Sequence, residues 1–213
     1  MAAYDLRWRY NQTILPKIDR LTTHPRQHPP RGVFYLDSVY VCSTMNYMNI
    51  VFDASTLILL AKIDLLRIVA ECYSIIIPDK VKTEALAADS SDAMAIRYLL
   101  DSSLIRTMSI KNGRNFEKFV TDFRIHDGEA EALCLALELS APVAVDDGPA
   151  IKASKIMGIK FITAIHFVIN CAQTGAMNQV VALEKLKKLS IVGRYRLQII
   201  QDAEKRICGG GIL

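Results

Sequence analysis

From Asn49 onward, short apolar runs rich in β-branched residues alternate with longer segments of helical periodicity. The spacing predicts strands at residues 50–52, 73–77, 104–110, 142–145 and 160–163, with the third of them at a sheet edge. It predicts helices at residues 55–71, 90–100, 115–123, 128–139, 150–157, 164–174, 180–189 and 197–206, and another beginning near Lys80. Apolar strands that alternate with helices are typical of an α/β domain with a parallel sheet covered on both faces. We therefore expect a central parallel sheet of about four to five strands flanked by helices.

The composition divides the chain into three parts. Residues 1–48 include the stretch THPRQHPPRG and show no periodicity. We predict that this N-terminal extension is poorly ordered, or that it precedes a natural translation start at Met45 or Met48. Residues 49–190 are predicted to form the folded domain, and residues 191–213 a C-terminal helix and tail.

Charge and cysteine content narrow the class of protein. The formal net charge is only +4 over 213 residues, so charge alone does not indicate a nucleic-acid-binding surface. The five cysteines are odd in number and show no CxxC spacing, which favours a reducing, cytoplasmic location. The longest uncharged stretches are too polar for a membrane span, and we expect no membrane association.

Acidic residues recur where apolar runs end or helical segments begin. They are Asp53, Glu84, Glu129, Glu131, Asp146 and Asp147. Two of these positions directly follow predicted strands, and in parallel sheets the site lies beyond the carboxyl ends of the strands. Burying a carboxylate without a cation is costly, so several that converge on one crevice indicate a site for a hard cation such as Mg²⁺ or Mn²⁺. Water activated by such a cation could hydrolyse a phosphodiester.

Each acid also has a purely structural interpretation. Asp53 could be the N-cap of the helix that follows it, and Glu84 a first-turn acid favoured by its helix dipole. Asp146 and Asp147 could be turn residues before Gly148. Ser55 could orient the Asp53 carboxylate or a water molecule, or it could be the N-cap itself.

Helical geometry separates the members of each acidic pair. Glu129 shares its helix face with apolar residues and Glu131 shares its face with Glu138, so we prefer Glu129 as the inward ligand. Asp146 and Asp147 are adjacent and should point apart, and we prefer Asp147. Asp127 is predicted to be the N-cap of the same helix as Glu129.

Four stretches of the chain resemble the acidic motifs of PIN domains. They are VFDASTLILLAKIDLL, IIIPDKVKTEAL, HDGEAEALCLALEL and VAVDDGPAIKASKIMGIKFITA, in that order. The resemblance covers roughly residues 49–190 and is nearest to the prokaryotic branch with a GEAE-type third motif, close to the VapC-like toxins. It implies a Rossmann-like α/β/α fold and a Mg²⁺- or Mn²⁺-dependent ribonuclease that acts on RNA.

The resemblance also assigns residues and partners. It places the four metal-binding acids at Asp53, Glu84, Glu129 and Asp147. Relatives often carry Arg residues after the fourth motif, where this chain has Lys152 and Lys155 in GPAIKASK. These lysines could bind substrate phosphates, or they could form a solvated helix face. The family commonly forms homodimers, and many members are toxins silenced by a small antitoxin protein.

Other functions are compatible with parts of this pattern. A non-catalytic PIN-like module that binds RNA or protein is the main alternative, and the complete set of acids disfavours it. A nucleotide-binding enzyme is disfavoured because no GxGxxG or GxxxxGK[ST] follows the first strand. A phosphatase with a DxD motif is disfavoured because the chain has Asp53-Ala54-Ser55. Apolar helices within residues 164–189 could form a dimer face or could pack in the core.

Overall fold

The structure, a computed structural model, describes residues 48–209. Almost all of the predicted N-terminal extension lies outside these residues. The described part of the chain contains the strands β1 Asn49–Phe52, β2 Ser74–Ile77, β3 Ile105–Thr107, β4 Val143–Ala144 and β5 Phe161–Ile162. It also contains the helices α1 Ala54–Lys62, α2 Leu66–Cys72, α3 Asp79–Ala85, α4 Ser91–Asp101, α5 Phe116–Asp122, α6 Asp127–Leu139, α7 Gly148–Ile156, α8 Ala164–Gln173, α9 Gln179–Val192 and α10 Leu197–Ile207.

All five strands belong to one parallel sheet with the order β3-β2-β1-β4-β5. Val51 in the central strand pairs with Ile76 on one side and with Val143 on the other. All three side chains are at most 1% exposed, as expected for a sheet covered by helices on both faces. The predicted α/β fold is confirmed.

The strand order reverses between β1 and β4, because β2 and β3 lie on one side of β1 and β4 and β5 lie on the other. In open parallel sheets, the crevice beyond the carboxyl ends of the strands at such a reversal is the usual place for a ligand site. The first strand and the fourth therefore deliver the residues that follow them to the same crevice.

The helix predicted over residues 55–71 is two helices, α1 and α2. The helix is interrupted at Asp64, which adopts a left-handed conformation with φ of 53°. Lys185 and Lys188 from α9 donate to the Asp64 carboxylate at 3.4 and 3.0 Å, and Lys185 also donates to its carbonyl. Asp tolerates this conformation better than most residues, and the two lysines stabilise it here.

Helix α8 is part of the core. Its Phe167 stacks on Phe52 of the central strand with 5.4 Å between ring centroids, and Val168 is fully buried. The apolar residues of α8 therefore serve core packing rather than a dimer face. Helix α10 packs against α8 and α9. None of the helices in the described part of the chain combines the length and apolar content needed to cross a lipid bilayer.

Candidate active site at the reversal of strand order

Asp53 stands where β1 ends and α1 begins. Its backbone N–H donates to the carbonyl of Ala144 in β4 at 3.0 Å, and its side chain is fully buried. Asp53 Oδ1 accepts from the backbone N–H of Thr56 at 2.8 Å, and Oδ2 accepts from Ser55 Oγ at 2.6 Å. Asp53 is thus the N-cap of α1, and Ser55 orients the Asp53 carboxylate instead of capping the helix itself.

Burial raises the pKa of Asp53 from its ordinary value of 3.8 to about 7. This value includes the hydrogen bonds from Ser55 and Thr56, which oppose the rise, and the nearby Asp146 carboxylate, which contributes to it. Near neutral pH this carboxyl group is therefore divided between its protonated and its charged form.

Asp146 follows β4 and is saturated with hydrogen bonds. Its Oδ2 accepts from Thr56 Oγ1 and from the backbone N–H of Ala164, both at 2.9 Å. Its Oδ1 accepts from the phenol of Tyr195. Burial raises the pKa of Asp146, and these three hydrogen bonds oppose the rise. The Asp146 carboxylate therefore joins the start of α1, the start of α8 and the segment before α10.

Tyr195 was not identified from the sequence. It lies in the connection between α9 and α10. Burial raises the pKa of its phenol above the ordinary value, and the charge of the Asp146 carboxylate adds to the rise. Gly193 leaves space for it, since a Cβ at residue 193 would lie 2.5 Å from the tyrosine ring. A glycine two residues before an aromatic residue was the available signal, but it does not indicate which group the phenol contacts.

Asp147 and Glu129 form the unsatisfied part of the crevice. Asp147 occupies the N-cap position of α7, but its side chain makes no capping hydrogen bond. Glu129 Oε2 is buried and has no hydrogen-bond partner among the described residues. The pKa of Glu129 is raised to about 7, mainly by burial. The charges of Asp147 and Glu84 contribute to the rise, and the backbone N–H of His126 opposes it. Glu129 therefore faces like charge with one oxygen unpaired.

Glu84 lies at the C-terminal end of α3, so the first-turn interpretation is wrong. A carboxylate is unfavourable at that end of a helix. It lies instead against the N-terminus of α6, where a Cβ at Gly128 would overlap it. Burial raises the pKa of Glu84, as do Asp127 and Glu131, whereas Lys80 and the Gly128 N–H lower it.

Two further acids serve the ends of helices. Glu131 Oε2 accepts from the backbone N–H of Lys80 in the first turn of α3 at 3.1 Å. Asp127 is the first residue of α6, and the N-cap is His126, so the predicted N-cap was wrong by one residue. Neither acid has the unpaired buried oxygen that distinguishes Glu129.

The two lysines on α7 differ in their surroundings. Both are exposed, but Lys155 Nζ lies 5.7 Å from the centroid of the Phe161 ring. Such a cation–π contact holds the Lys155 head group over β5. Lys152 lies one turn closer to Asp147 at the start of the helix.

The structure thus brings the predicted acids into two neighbouring groups. Asp53 interacts electrostatically with Asp146, and Glu129 does so with Asp147 and Glu84. Within residues 48–209, no three Asp, Glu, His or Cys side chains are already arranged as a metal-binding group.

Comparison with known families identifies a match over most of the chain. A family model described as a PIN domain matches residues 49–202, which is more than half of the chain. The match begins at the first residue of β1 and ends within α10, so it includes the acids described above and Tyr195. A comparison with curated proteins gave no match.

Proposed function

The chain belongs to the PIN domain family, and on this basis we propose that it is a metal-dependent endoribonuclease. Proteins of this family are generally nucleases, which makes nucleic acid the expected class of substrate. The resemblance to the prokaryotic branch favours RNA as the substrate. It also favours a toxin partnered by a small antitoxin protein, and assembly as a homodimer.

The observation that carries the proposal is the buried, unpaired Oε2 of Glu129. A carboxylate oxygen without a partner is costly in a protein interior, and here the charges of Asp147 and Glu84 add to that cost. A structural role does not account for such an arrangement. A cation, or the backbone of a substrate with its cation, would relieve it.

The chemistry of these side chains fits Mg²⁺ or Mn²⁺. The donors are carboxylate oxygens, which hard divalent cations prefer. Asp53, Glu129 and Asp147 would hold the cation, with Glu84 beside them. Each Asp53 oxygen accepts one hydrogen bond from the first turn of its own helix, whereas Asp146 and Glu131 accept hydrogen bonds from other parts of the fold. A divalent cation supplies an acidified water and neutralises charge that develops on a phosphate.

The residues of this chain prepare the site in other respects. Ser55 and Thr56 fix the Asp53 carboxylate, which is completely buried. Because the pKa values of Asp53 and Glu129 are raised to about 7, a cation would compete with protons for these carboxyl groups near neutral pH. Lys152 and Lys155 would contact substrate phosphates beside the start of α7.

One observation favours the alternative of a non-catalytic RNA- or protein-binding module. In the part of the chain that the structure describes, no three candidate ligands already form a metal-binding group. A module that only binds RNA would not need one. An RNA cleavage assay with and without metal separates the two functions.

The test is cleavage of mixed structured and single-stranded RNAs by the full chain, with Mg²⁺, Mn²⁺ or EDTA. We expect cleavage that requires the metal and is lost in Asp53→Asn, which keeps the N-cap hydrogen bond and the fold. Asp89→Asn is the matched control, because Asp89 is exposed and has no bonding partner among the described residues. Metal-independent cleavage, or full activity in Asp53→Asn, would contradict the proposal. RNA binding without cleavage under any metal would favour the binding module.

A further inference from the structure

The carboxylate of Asp146 receives three donors from three separate parts of the fold. Thr56 Oγ1 in α1 and the Ala164 N–H of α8 donate to one oxygen, and the Tyr195 phenol donates to the other. Both oxygens are therefore engaged. The adjacent Asp147 has no such bond and faces Glu129 electrostatically.

The same network reaches Asp53 through a single residue. Thr56 donates its hydroxyl to Asp146 and its backbone N–H to Asp53 Oδ1 at 2.8 Å. A movement of the Asp146 carboxylate would thus shift Thr56 and with it the Asp53 carboxylate. Tyr195 contacts neither Asp53 nor Asp147 by a hydrogen bond, but it holds the residue that is adjacent to one and bridged to the other.

The local chain is built to deliver the phenol to this point. Gly193 is required by space rather than by backbone conformation, since its φ is −95° and a Cβ there would lie 2.5 Å from the Tyr195 ring. The residue next after Tyr195 is the N-cap of α10, which packs on α8 and α9. A tyrosine with a half-buried ring and a bonded phenol loses part of its freedom, which suits a positioning role.

We propose that Tyr195 is a positioning residue for the nuclease reaction. By occupying Asp146 Oδ1, the phenol commits Asp146 to the hydrogen-bond network and leaves Asp147 as the aspartate that is free to bind a cation. It also fixes Thr56, and through Thr56 the Asp53 carboxylate. This inference depends on the proposed nuclease function, and its test has a readout that does not require cleavage.

The test is a double-mutant cycle in the full chain with Tyr195→Phe, Asp146→Asn and the combination. Phenylalanine removes only the hydroxyl and keeps the ring beside Gly193. Tyr98→Phe is the matched control, because Tyr98 is 60% exposed on α4. For each variant, kcat and KM for RNA are measured separately, Mn²⁺ affinity is measured by calorimetry without RNA, and thermal unfolding is followed by circular dichroism.

We expect Tyr195→Phe to lower kcat and Mn²⁺ affinity roughly tenfold, as loss of a supporting hydrogen bond around a metal site does, with KM changed less than about twofold. In the Asp146→Asn background, the same substitution should change either quantity less than about twofold. Equal effects in both backgrounds, or wild-type kcat and Mn²⁺ affinity in Tyr195→Phe, would overturn the positioning role.

Three further outcomes are decisive. If Tyr195→Phe does not fold, Gly193→Ala displaces the ring while keeping every side chain of the network, and the same expected and contrary results apply. If the wild type binds Mn²⁺ but cleaves no RNA, the proposed nuclease function fails and the Mn²⁺ affinities alone judge Tyr195. If the wild type binds no Mn²⁺, both proposals are overturned.

Discussion

Asp146 and Glu129 belong to the same acidic crevice, but their carboxylate oxygens have opposite surroundings. Asp146 accepts hydrogen bonds on both oxygens, from Thr56, Ala164 and Tyr195. Glu129 has a buried oxygen with no partner among the described residues, and it faces the charge of Asp147. Burial alone therefore does not identify a functional acid. The difference lies in whether the protein itself satisfies the carboxylate.

Glu129→Gln tests the carboxylate that has an unpaired oxygen, and we expect the largest effect from this substitution. The amide keeps the shape of the side chain but removes a proposed cation ligand, so RNA cleavage should fall by roughly 100-fold or more. The metal-free protein should become more stable, because a buried charge beside like charges is lost. Paired activity assays and urea denaturation without metal check both signs. A variant that loses stability together with activity would assign Glu129 a structural role.

Asp146→Ala removes the carboxylate that is fully engaged in hydrogen bonds. It leaves the Thr56 hydroxyl, the Ala164 N–H and the Tyr195 phenol without their acceptor, and we expect it to destabilise the fold by about 3 kcal/mol. Asp147→Ala removes no capping hydrogen bond and should cost less than about 1 kcal/mol. Urea denaturation of both variants gives the difference. Equal losses would show that the two aspartates do not differ as described.

The pH dependence of stability tests the buried carboxyl groups of Asp53 and Glu129. The pKa values of Asp53 and Glu129 are raised to about 7 in the folded protein, so the folded state keeps protons that the unfolded chain has already released. Stability from these groups is thus fully present near pH 4 and is lost as the pH rises to about 7. Between pH 5 and 8, the metal-free wild type should lose about 5 kcal/mol, divided about equally between the two groups, and Asp53→Asn should lose about half as much. Denaturant midpoints across this range test it, and identical slopes would contradict it.

The smallest expected effect concerns the two lysines of α7. Lys155 contacts Phe161, whereas Lys152 is exposed one turn nearer the crevice. We expect Lys152→Ala to raise KM for RNA about threefold and to reduce the salt dependence of binding. Lys155→Ala should change KM less and should cost about 0.5 kcal/mol of stability. A larger KM change in Lys155→Ala would reverse their proposed roles.

The sequence predicted the features that depend on local pattern. The five strands and their alternation with helices followed from apolar periodicity. Asp53 and Asp146 were identified from their positions directly after two of those strands, and Glu129 from the face that it occupies on its helix. The break at Asp64 was missed because lysines from α9, far along the chain, stabilise its left-handed conformation. The position of Glu84 in its helix was misjudged because the compensating partner is the distant Gly128 region.

The candidate site could be predicted from the sequence only in part, because it too depends on contacts between distant parts of the chain. Adjacent residues must point apart, so the separation of Asp146 from Asp147 could be anticipated. The partner of Asp146 could not, because Tyr195 reaches it through the packing of α10 on α8 and α9. Periodicity reports which face of an element is buried, but it does not report which distant polar group meets a given side chain.

The central position of β1 has a consequence for the synthesis of the protein. β1 meets β2 after two short helices, but its other neighbour, β4, comes only after β3 and four further helices. A nascent chain released before β4 would therefore carry β1 as an open strand edge, which promotes association between chains. We expect chains truncated before residue 143 to aggregate, and cells that make this protein to depend on its translation running to completion.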